Sequence, residues 1–343
     1  MRYPWVNVLL FLLLVLQLVT GYLGLVNGRP PRAWLLWLHG IGAYGLLMLV
    51  YWKGSVIWSA WRRKKSWTGA RLLFLLMLAL LLATLLSGLL WTFYGPIYLL
   101  GFSLISLHIY VAILLMGLMV WHAWRLRFVL RLRETWGRRL FLGTAVSALL
   151  GLAAWRAAGW VKVAADLPGA RRRFTGSYET GSFTGRFPSV SWIADRPAPV
   201  DAATWQLVIE GAVERPLTLT YADLQAMAGD EQTATLDCTG GWYTTQVWRG
   251  VAVARLLEMA GVQAQAQSVT FEAVSGYKRR FSLESARRYL LALEVAGAPL
   301  RHGNGFPARL VADNERGVEW VKWVARVRVN TTGPNWQLPL PLQ

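Results

Sequence analysis

Long apolar runs fill the first half of the chain, whereas short apolar and alternating runs fill the second half. A helix needs about 20 apolar residues to cross a bilayer, and five runs in the first half reach that length. Runs of this length with so few charges predict membrane-spanning helices rather than core helices of a globular domain. The predicted spans are residues 6–26, 34–58, 72–93, 99–124 and 140–160.

The second half has the pattern of a globular domain that mixes strands and helices. Short apolar segments bounded by turn-forming residues predict strands, and segments at 220–227 and 251–260 have helical spacing. About 150 residues are enough to enclose a hydrophobic core. The predicted strands cover residues 205–211, 234–238, 269–274, 290–295, 308–312 and 321–329.

The two patterns predict a multi-domain chain, with an all-α transmembrane bundle of five helices followed by an α+β domain. The change from apolar to mixed composition marks the boundary between the parts. The residues between them are rich in Gly, Ser, Thr and Arg, which is typical of a linker. The predicted parts are four transmembrane helices in 1–136, a fifth in 137–165, the linker in 166–186 and the α+β domain in 187–343.

The basic residues mark the loops that face the cytoplasm. Residues 1–165 contain 17 Lys and Arg against a single acid, Glu134, so this half carries nearly all of the net charge of +18. The basic clusters at 62–65 and 125–139 follow the second and fourth spans, and the positive-inside rule places them in the cytoplasm. Five spans then put the C-terminal domain on the extracytoplasmic, periplasmic side of the cytoplasmic membrane. A nucleic-acid binder spreads its basic residues over a soluble face, so nucleic acid is excluded as a partner.

The fifth span opens with a pair of arginines. Arg138 and Arg139 precede a moderately apolar stretch, and this pattern resembles a twin-arginine export signal in an internal position. Such a signal implies export of a folded domain that has taken up its cofactor in the cytoplasm. A plain basic flank of a membrane helix is the alternative, and the segment stays as an anchor because no clear cleavage site follows.

Three of the four histidines lie inside the apolar runs, where an ionisable residue marks a candidate functional site. His39 and His108 lie a few residues into two spans that both begin at the outer face, so they share one depth. Two imidazoles at one depth can hold haem iron between helices. Gly40, Gly42 and Gly45 would leave room for a flat macrocycle. Buried histidines bonded to neighbouring backbone or hydroxyl groups are the alternative.

His122 follows His108 by fourteen residues, which is about 21 Å along nearly the same face of a helix. This spacing resembles bacterial membrane cytochromes b, in which one helix offers ligands to two stacked haems. The matching position fourteen residues after His39 holds Lys53 rather than a histidine. The resemblance therefore implies one outer haem b bound by His39 and His108, and it leaves open whether His122 binds a second haem.

Cys238 is the only cysteine of the chain and follows a predicted strand. A single thiol cannot form an internal disulfide, a four-thiolate zinc site or an iron–sulfur cluster. Three roles stay open for this residue alone: a reactive thiol, one soft ligand to a metal, or an inert buried side chain. The segments around it narrow the choice.

Five segments of the second half share their order and spacing with one enzyme family. They are Trp205-Gln-Leu-x-Ile-x-Gly-x-Val-x-Arg-Pro-Leu-x-Leu, Leu236-Asp-Cys-Thr-Gly-Gly-Trp242, Trp248-x-Gly-Val, Gly305-Phe-Pro-Ala-Arg-Leu310 and Val321-Lys-Trp323. Within residues 187–330 this combination resembles the sulfite-oxidase-fold family of molybdopterin-dependent oxidoreductases. The resemblance implies that the C-terminal domain has that fold and is an enzyme.

The resemblance implies a molybdenum ion held by Cys238 and by the two dithiolene sulfurs of a pyranopterin. A soft thiolate stabilises a high-valent metal while another position stays open for oxygen-atom transfer. Glycines after the cysteine let the cofactor approach the backbone, and an arginine and a lysine bind its anionic tail. The implied cofactor-binding residues are Gly240, Gly241, Arg309 and Lys322, with Ser191 and Trp192 at the start of the domain.

The chain departs from the family pattern around the catalytic pocket. His302 and Asn304 stand near the position where the family often has a histidine directly before Gly-Phe-Pro, and either residue could contact the cofactor. The sequence lacks the arginines that sulfite and nitrate enzymes carry shortly after the cysteine. The candidates that remain for the pocket lining are Trp242, Tyr243 and Tyr277, for which core packing is the alternative role.

Together the two halves predict a membrane-anchored molybdopterin oxidoreductase that transfers oxygen atoms and exchanges electrons with quinone or quinol through haem b. Its expected partners are a small-molecule substrate, the lipid bilayer and an electron-transfer protein. The family resemblance extends to periplasmic sulfoxide reductases that receive electrons from a membrane haem protein, which favours reduction of an oxide or sulfoxide. A sulfite-oxidising dehydrogenase with an altered anion pocket and a non-catalytic extracytoplasmic binding module are the alternatives.

Overall fold

The computed structural model describes residues 4–61, 69–125, 137–191, 195, 197–334 and 337. The chain divides into two compact units, Met1–Tyr178 and Glu179–Gln343. The first unit is helical, and the second is built from β-sheets with short helices. Trp192, one of the predicted cofactor-binding residues, lies outside the described residues.

Five long helices dominate the described part of the first unit, and each overlaps one of the predicted spans. The fourth helix begins at Leu104 rather than at 99, because the residues before it form a β-hairpin. All five are long and apolar enough to cross a membrane. Their side chains are apolar on nearly every face, which distinguishes them from helices that lie on the surface of a water-soluble core. The helices are α1 (Pro4–Leu25), α2 (Trp34–Trp61), α3 (Gly69–Tyr94), α4 (Leu104–Arg125) and α5 (Arg138–Ala164).

The helices pack as two hairpins with α5 alongside. α1 packs against α2, α3 packs against α4, and α5 packs mainly on α2. A Cβ added to Gly45 would lie 3.3 Å from the carbonyl oxygen of Ser147 on α5, and one added to Gly40 would lie 2.9 Å from the Trp155 ring. Gly42 faces α1 in the same way. These glycines serve close helix packing, so the prediction that they leave room for a macrocycle is wrong.

Short elements complete the first unit. A two-stranded hairpin, β1 (Tyr98–Leu99) with β2 (Phe102–Ser103), joins α3 to α4. The segment after α5 returns to the end of α3, where Trp91 Nε1 donates to Gly176 O at 2.9 Å and Tyr178 Oη donates to Trp91 O at 2.5 Å. Single-turn helices lie at Pro30–Arg32 and Pro168–Ala170, and β3 (Tyr178–Glu179) stands at the junction of the units.

The second unit contains two sheets that enclose one hydrophobic core. In one sheet the order is β5-β4-β13-β8-β9, with β4 and β13 parallel. In the other, β6 pairs with β7, β7 pairs with β10, and β10 pairs with β11 and β12. The strands are β4 (Gln206–Gly211), β5 (Leu217–Thr220), β6 (Asp230–Asp237), β7 (Trp242–Ala252), β8 (Ser268–Ala273), β9 (Lys278–Ser282), β10 (Leu290–Val295), β11 (Ala298–Pro299), β12 (Arg309–Val311) and β13 (Val324–Asn330).

The short helices of this unit begin and end at residues that suit those positions. α6 (Tyr221–Met227) begins with a capping box, in which Thr220 Oγ1 accepts from Asp223 N and the Asp223 carboxylate accepts from Thr220 N. α7 (Val253–Ala260) ends at Gly261, whose φ of 67° lies in the left-handed region that glycine tolerates. The remaining helical segments are α8 (Leu283–Ala286) and single turns at His302–Asn304 and Gly317–Glu319.

The β6–β7 hairpin carries the Cys238 segment in the turn between its two strands. β7 alternates buried and part-exposed residues along eleven positions, so one of its faces lies on the core. The sequence did not predict this strand, because its alternation of aromatic and polar residues was interpreted only as a motif. Trp248 on β7 is fully buried and packs edge-on against Trp320.

Candidate active site

Cys238 lies in a tight turn between β6, which ends at Asp237, and β7, which begins at Trp242. Cys238 N donates to Trp242 O at 2.9 Å, and Gly241 N donates to Cys238 O at 3.1 Å. Gly241 has a φ of 90°, a conformation that a residue with a side chain would adopt only under strain. The turn therefore fixes the cysteine backbone on both sides and leaves its side chain at the end of the hairpin.

The Cys238 sulfur has a mixed electrostatic environment. It lies deep in the unit and yet keeps part of its surface accessible, as a metal ligand requires. Burial raises the pKa of the thiol, whereas the Gly240 N–H, which donates to Sγ at 3.3 Å, and the Arg316 guanidinium lower it. A cation or a metal ion bound nearby would stabilise the thiolate further.

Arg316 fixes the turn that contains Cys238, a role that the sequence did not predict for it. It forms an ion pair with Asp237, and both side chains are almost fully buried. Arg316 Nη2 also donates to Cys238 O at 3.2 Å, while the neighbouring Gly317 packs against the Cys238 Cα. The acidic residue directly before the cysteine was the available signal, because a buried carboxylate needs a counter-charge.

Arg309 is buried beside the turn on β12. Its Nη1 donates to Asn304 O at 2.9 Å, and its guanidinium lies 5.7 Å from the ring centres of both Trp248 and Trp320. Burial lowers the pKa of Arg309 to about 10, and the nearby cysteine acts in the opposite direction. Gly305, with a φ of 110°, lets the preceding loop pass close to this side chain. The structure thus places a fixed positive charge near Cys238.

Lys322 reaches the same region from the segment that precedes β13. Its Nζ donates to Gly303 O at 2.8 Å, to Val190 O at 3.0 Å and to Ser191 Oγ at 3.0 Å. Burial lowers the pKa of Lys322 to about 7, and repulsion by Arg309 lowers it as well. Ser191 therefore lies beside Lys322, one of the two cations that the family motifs identify.

Several buried polar atoms of this cluster have no partner among the described residues. They are Trp242 Nε1, Asn304 Nδ2, Arg309 Nε and His302 Nδ1. His302 Nε2 lies 3.1 Å from Pro197 O, so Nε2 carries the proton and Nδ1 is an acceptor in the neutral ring. A buried polar atom without a partner is costly, so these atoms fit a bound group that is anionic and also carries hydrogen-bond donors. A pyranopterin with a phosphate tail has both properties.

The three aromatic residues predicted to line the pocket, Trp242, Tyr243 and Tyr277, lie in different surroundings. Trp242 and Tyr243 are successive residues of β7, so their side chains point to opposite faces of the sheet. Trp242 is the one whose ring lies near Gly240. Tyr277 Oη donates to Val318 O and accepts from Arg279 Nε at 2.8 Å, and burial raises the pKa of Tyr277 to about 12. The Tyr277 hydroxyl is thus already engaged with protein groups.

His39 and His108 meet inside the first unit. Their ring centres lie 6.1 Å apart with the ring planes at 79°. His39 Nδ1 lies 3.1 Å from Gln17 O, and His108 Nδ1 lies 2.9 Å from Thr84 O. A carbonyl can only accept, so each Nδ1 carries the proton and each Nε2 has a free lone pair. Among the described residues neither Nε2 has a hydrogen-bond partner.

His122 lies in the last turn of α4, fourteen residues after His108. That separation is about 21 Å along the helix, so His122 is remote from the histidine pair. The described residues contain no group of three or more His, Cys, Asp and Glu that could hold a metal ion. Within the part of the chain that the structure describes, the histidine pair therefore offers two imidazole ligands. The side chain of Lys53, which occupies the position fourteen residues after His39, lies outside the described side chains.

Comparison with known proteins identifies the second unit. A family model for the oxidoreductase molybdopterin binding domain matches residues 194–336. An uncharacterized oxidoreductase, YuiH, of Bacillus subtilis is 30% identical over 156 residues, which are 44% of this chain and 78% of that protein.

Two further matches cover smaller shares of their counterparts. A nitrate reductase [NAD(P)H] of Hordeum vulgare is 28% identical over 163 residues, 38% of this chain and 18% of that protein. The crystal structure of the sulfane dehydrogenase SoxCD from Paracoccus pantotrophus is 29% identical, with a TM-score of 0.37, and the match covers 39% of this chain and 40% of that one. The chain therefore spans less than half the length of each of these two proteins.

Proposed function

Because the chain belongs to the oxidoreductase molybdopterin-binding family and is an oxidoreductase, we propose that it is a membrane-anchored enzyme with a molybdenum ion bound by Cys238. The observation that carries the proposal is the cluster of buried, unpartnered polar atoms and buried cations around this cysteine. Such a cluster is unfavourable in a protein without a ligand and favourable around an anionic cofactor. When bound, the cofactor supplies two-electron chemistry coupled to oxygen-atom transfer.

The residues of the cysteine turn hold and tune the metal ligand. Cys238 offers a thiolate, and the Gly240 N–H stabilises that charge by donating to Sγ. Arg316 holds the peptide of Cys238 and is neutralised by Asp237, so its role is to position the turn. These contacts fix where the thiolate lies before any ligand arrives.

The cations on the other side of the site bind the anionic part of the cofactor. Arg309 Nε is buried without a partner among the described residues. The Lys322 ammonium is fixed by Val190 O, Ser191 Oγ and Gly303 O, so it acts on the cofactor through its charge. Asn304 and Trp242 offer further N–H donors, and His302 Nδ1 offers an acceptor. Fixed positive charge with directional donors is the arrangement that a phosphate selects.

The substrate is a small uncharged oxide or sulfoxide in this proposal. Arg316, the arginine that lies against the cysteine turn, is already paired with Asp237, and Arg279 is paired with Glu319 at 3.7 Å. A site that holds an oxyanion needs cations that are not neutralised by protein carboxylates. The second candidate, a sulfite-oxidising dehydrogenase, would have to use Arg309 or Lys322 for the substrate instead of the cofactor. A non-catalytic binding module is the third.

The first unit serves as a multi-pass anchor in the cytoplasmic membrane. Its outward side chains support this proposal, because large apolar residues such as Leu86, Phe141 and Leu149 are 58%, 72% and 67% exposed. Such a surface would be insoluble in water and is suited to lipid. The basic clusters of the sequence then put the catalytic unit outside, and quinone or quinol and an electron-transfer protein are the proposed redox partners.

A haem b bound by His39 and His108 is the proposed electron carrier of the first unit. The ring centres of His39 and His108 lie 6.1 Å apart, so both imidazoles would be available to one metal ion. The free Nε2 lone pair of each neutral imidazole is a metal ligand. An ion with only two protein ligands must bring its other ligands with it, as haem iron does.

Metal and cofactor measurements on the purified full-length protein test the enzyme. Molybdenum in about one equivalent and a pterin fluorescence after acid oxidation are expected, and their absence would leave the binding module as the function. Cys238→Ser should remove turnover and lower molybdenum content while the haem spectrum stays unchanged. Reduced viologen with oxide substrates, run beside ferricyanide with sulfite, separates the two enzymatic candidates.

A further inference from the structure

The two helical hairpins of the first unit carry the same local arrangement around their histidines. On α1, the segment Gln17-Leu-Val-Thr20-Gly21 faces His39, which follows Gln17 by 22 residues. On α3, the segment Thr84-Leu-Leu-Ser87-Gly88 faces His108, which follows Thr84 by 24 residues. Each segment places a carbonyl, then a hydroxyl three residues later, then a glycine one residue after that.

The hydroxyl groups of the two segments are oriented as acceptors for the histidines. Thr20 Oγ1 donates to Leu16 O at 2.7 Å and lies 3.3 Å from His39 Nδ1. Ser87 Oγ donates to Thr84 O at 3.0 Å and lies 3.4 Å from His108 Nδ1. Because each hydroxyl proton is directed at a helix carbonyl, the oxygen lone pair is left for the Nδ1–H of the histidine.

The glycines of the two segments make room for the imidazole rings. A Cβ on Gly21 would lie 2.9 Å from His39 Cε1, and a Cβ on Gly88 would lie 3.1 Å from His108 Cε1. Both distances are shorter than ordinary van der Waals contact, so a side chain at either position would push the ring away. Each ring is thus held at Nδ1 by two acceptors and bounded at its Cε1–Nδ1 side by a glycine.

We propose that these two segments are equivalent positioning clamps, produced by an internal repeat of the helical hairpin, which hold both histidines in the tautomer that presents Nε2 to one metal. The inference rests on the proposed haem site and adds the residues that orient its ligands. Acceptors on the second nitrogen of a ligating histidine fix its ring and raise its basicity. Thr20 and Ser87 are therefore positioning residues that act through His39 and His108.

Removal of one hydroxyl should change the haem without abolishing it, because the carbonyl acceptor remains. In Thr20→Val and in Ser87→Ala, haem affinity should fall by about 10-fold, and the midpoint potential of the haem should rise as its ligand becomes less basic. Equivalent clamps predict shifts of the same sign and similar size, with the double variant close to their sum. Haem content per chain and a redox titration of the reduced haem band measure both effects in purified protein.

Conservative variants and a matched control separate positioning from folding. Thr20→Ser and Ser87→Thr keep a hydroxyl, so the midpoint potential of the haem in these variants should equal that of the wild type. Thr144→Val on α5 removes a hydroxyl that donates to Leu140 O at 2.8 Å and contacts no histidine, so it should change nothing. If the wild-type protein contains haem and every variant has the same haem content and potential as the wild type, the clamps are refuted and the haem site is not. A shift in only one hairpin would refute their equivalence, and wild-type protein without haem would refute the haem site and the clamps together.

Discussion

The two units hold their candidate ligands by different means. Around Cys238 the structure uses charge: a buried ion pair under the turn, a buried arginine and a lysine with a lowered pKa. Around His39 and His108 the contacts are uncharged and come from carbonyls and hydroxyls of neighbouring helices. Charge is expensive to bury in an apolar bundle, whereas an α+β unit can supply turns and counter-charges around one cluster. The proposed metal ligands are therefore fixed by charged groups in one unit and by neutral acceptors in the other.

The largest expected effect is the loss of the low-spin haem of the first unit with no change in the cofactor of the second. His39→Ala or His108→Ala removes one of the two proposed protein ligands and should eliminate the low-spin haem spectrum, because one remaining imidazole cannot produce the low-spin six-coordinate form. Molybdenum content should stay at the wild-type level in both variants. Optical spectra and metal analysis of the same preparation check this, and simultaneous loss of both cofactors would show that the units depend on each other.

The ion pair under the cysteine turn should respond strongly to the loss of one partner. Arg316→Gln leaves the Asp237 carboxylate buried without its counter-charge, which should lower the free energy of unfolding of the second unit by about 3–5 kcal/mol. Arg288→Gln, which breaks an exposed ion pair with Glu284, should change it by less than about 0.5 kcal/mol. Urea unfolding, monitored by the release of molybdenum, measures the difference in stability of the second unit between the two variants. The haem spectrum reports on the first unit in the same experiment. Similar midpoints for the two variants would contradict the role of Arg316.

The lysine in the site should make the stability of the cofactor-free protein depend on pH. Burial lowers the pKa of Lys322 to about 7 from 10.5, so the unfolded chain binds more protons than the folded chain between these values. Stability of the cofactor-free protein should therefore rise as the pH rises from about 7 towards 10. A bound phosphate stabilises the charged ammonium, so the loaded protein should show a smaller slope.

Melting temperatures between about pH 7 and pH 9, measured before and after cofactor loading, test this prediction. Lys322→Gln should flatten the slope of the cofactor-free protein, whereas Lys278→Gln, at an exposed position on β9, should leave it as in the wild type. Equal slopes with and without cofactor would argue against Lys322 as a phosphate ligand.

The smallest expected effect concerns the third histidine of the helices. His122→Ala should leave haem content and potential unchanged, because His122 is about four helical turns away from the pair. A halved haem content would instead establish a second haem and would require a further ligand. The first unit would then contain a second haem site in addition to the one proposed at His39 and His108.

The sequence predicted the elements whose signal is local and missed those that depend on distant partners. The five apolar runs became five long helices because length and composition alone determine that pattern. His39 and His108 lie at similar distances from the starts of their predicted spans, and the structure brings their rings together. Arg316 was missed because its partner, Asp237, lies 79 residues earlier, and no periodicity links two such positions.

Family motifs located most of the candidate active site, but not its chemistry in detail. Arg309, Lys322 and Ser191 lie in one cluster near Cys238, although only the motif pointed to them. The state of each side chain, such as the engaged hydroxyl of Tyr277, depends on three-dimensional neighbours. Such contacts become visible only when the strands that carry them are paired.

The repeated hairpin also has a consequence for how the protein is assembled. Each hairpin contains one histidine with its own acceptors, so in the proposed membrane-anchored protein each half-site would form as soon as its two helices had entered the bilayer. The pair of histidines proposed to bind haem cannot form until α4 has been synthesised and the second hairpin has met the first. Haem uptake would then report the order of membrane insertion, and a chain stopped after α3 should emerge from the ribosome with one clamped histidine and no haem.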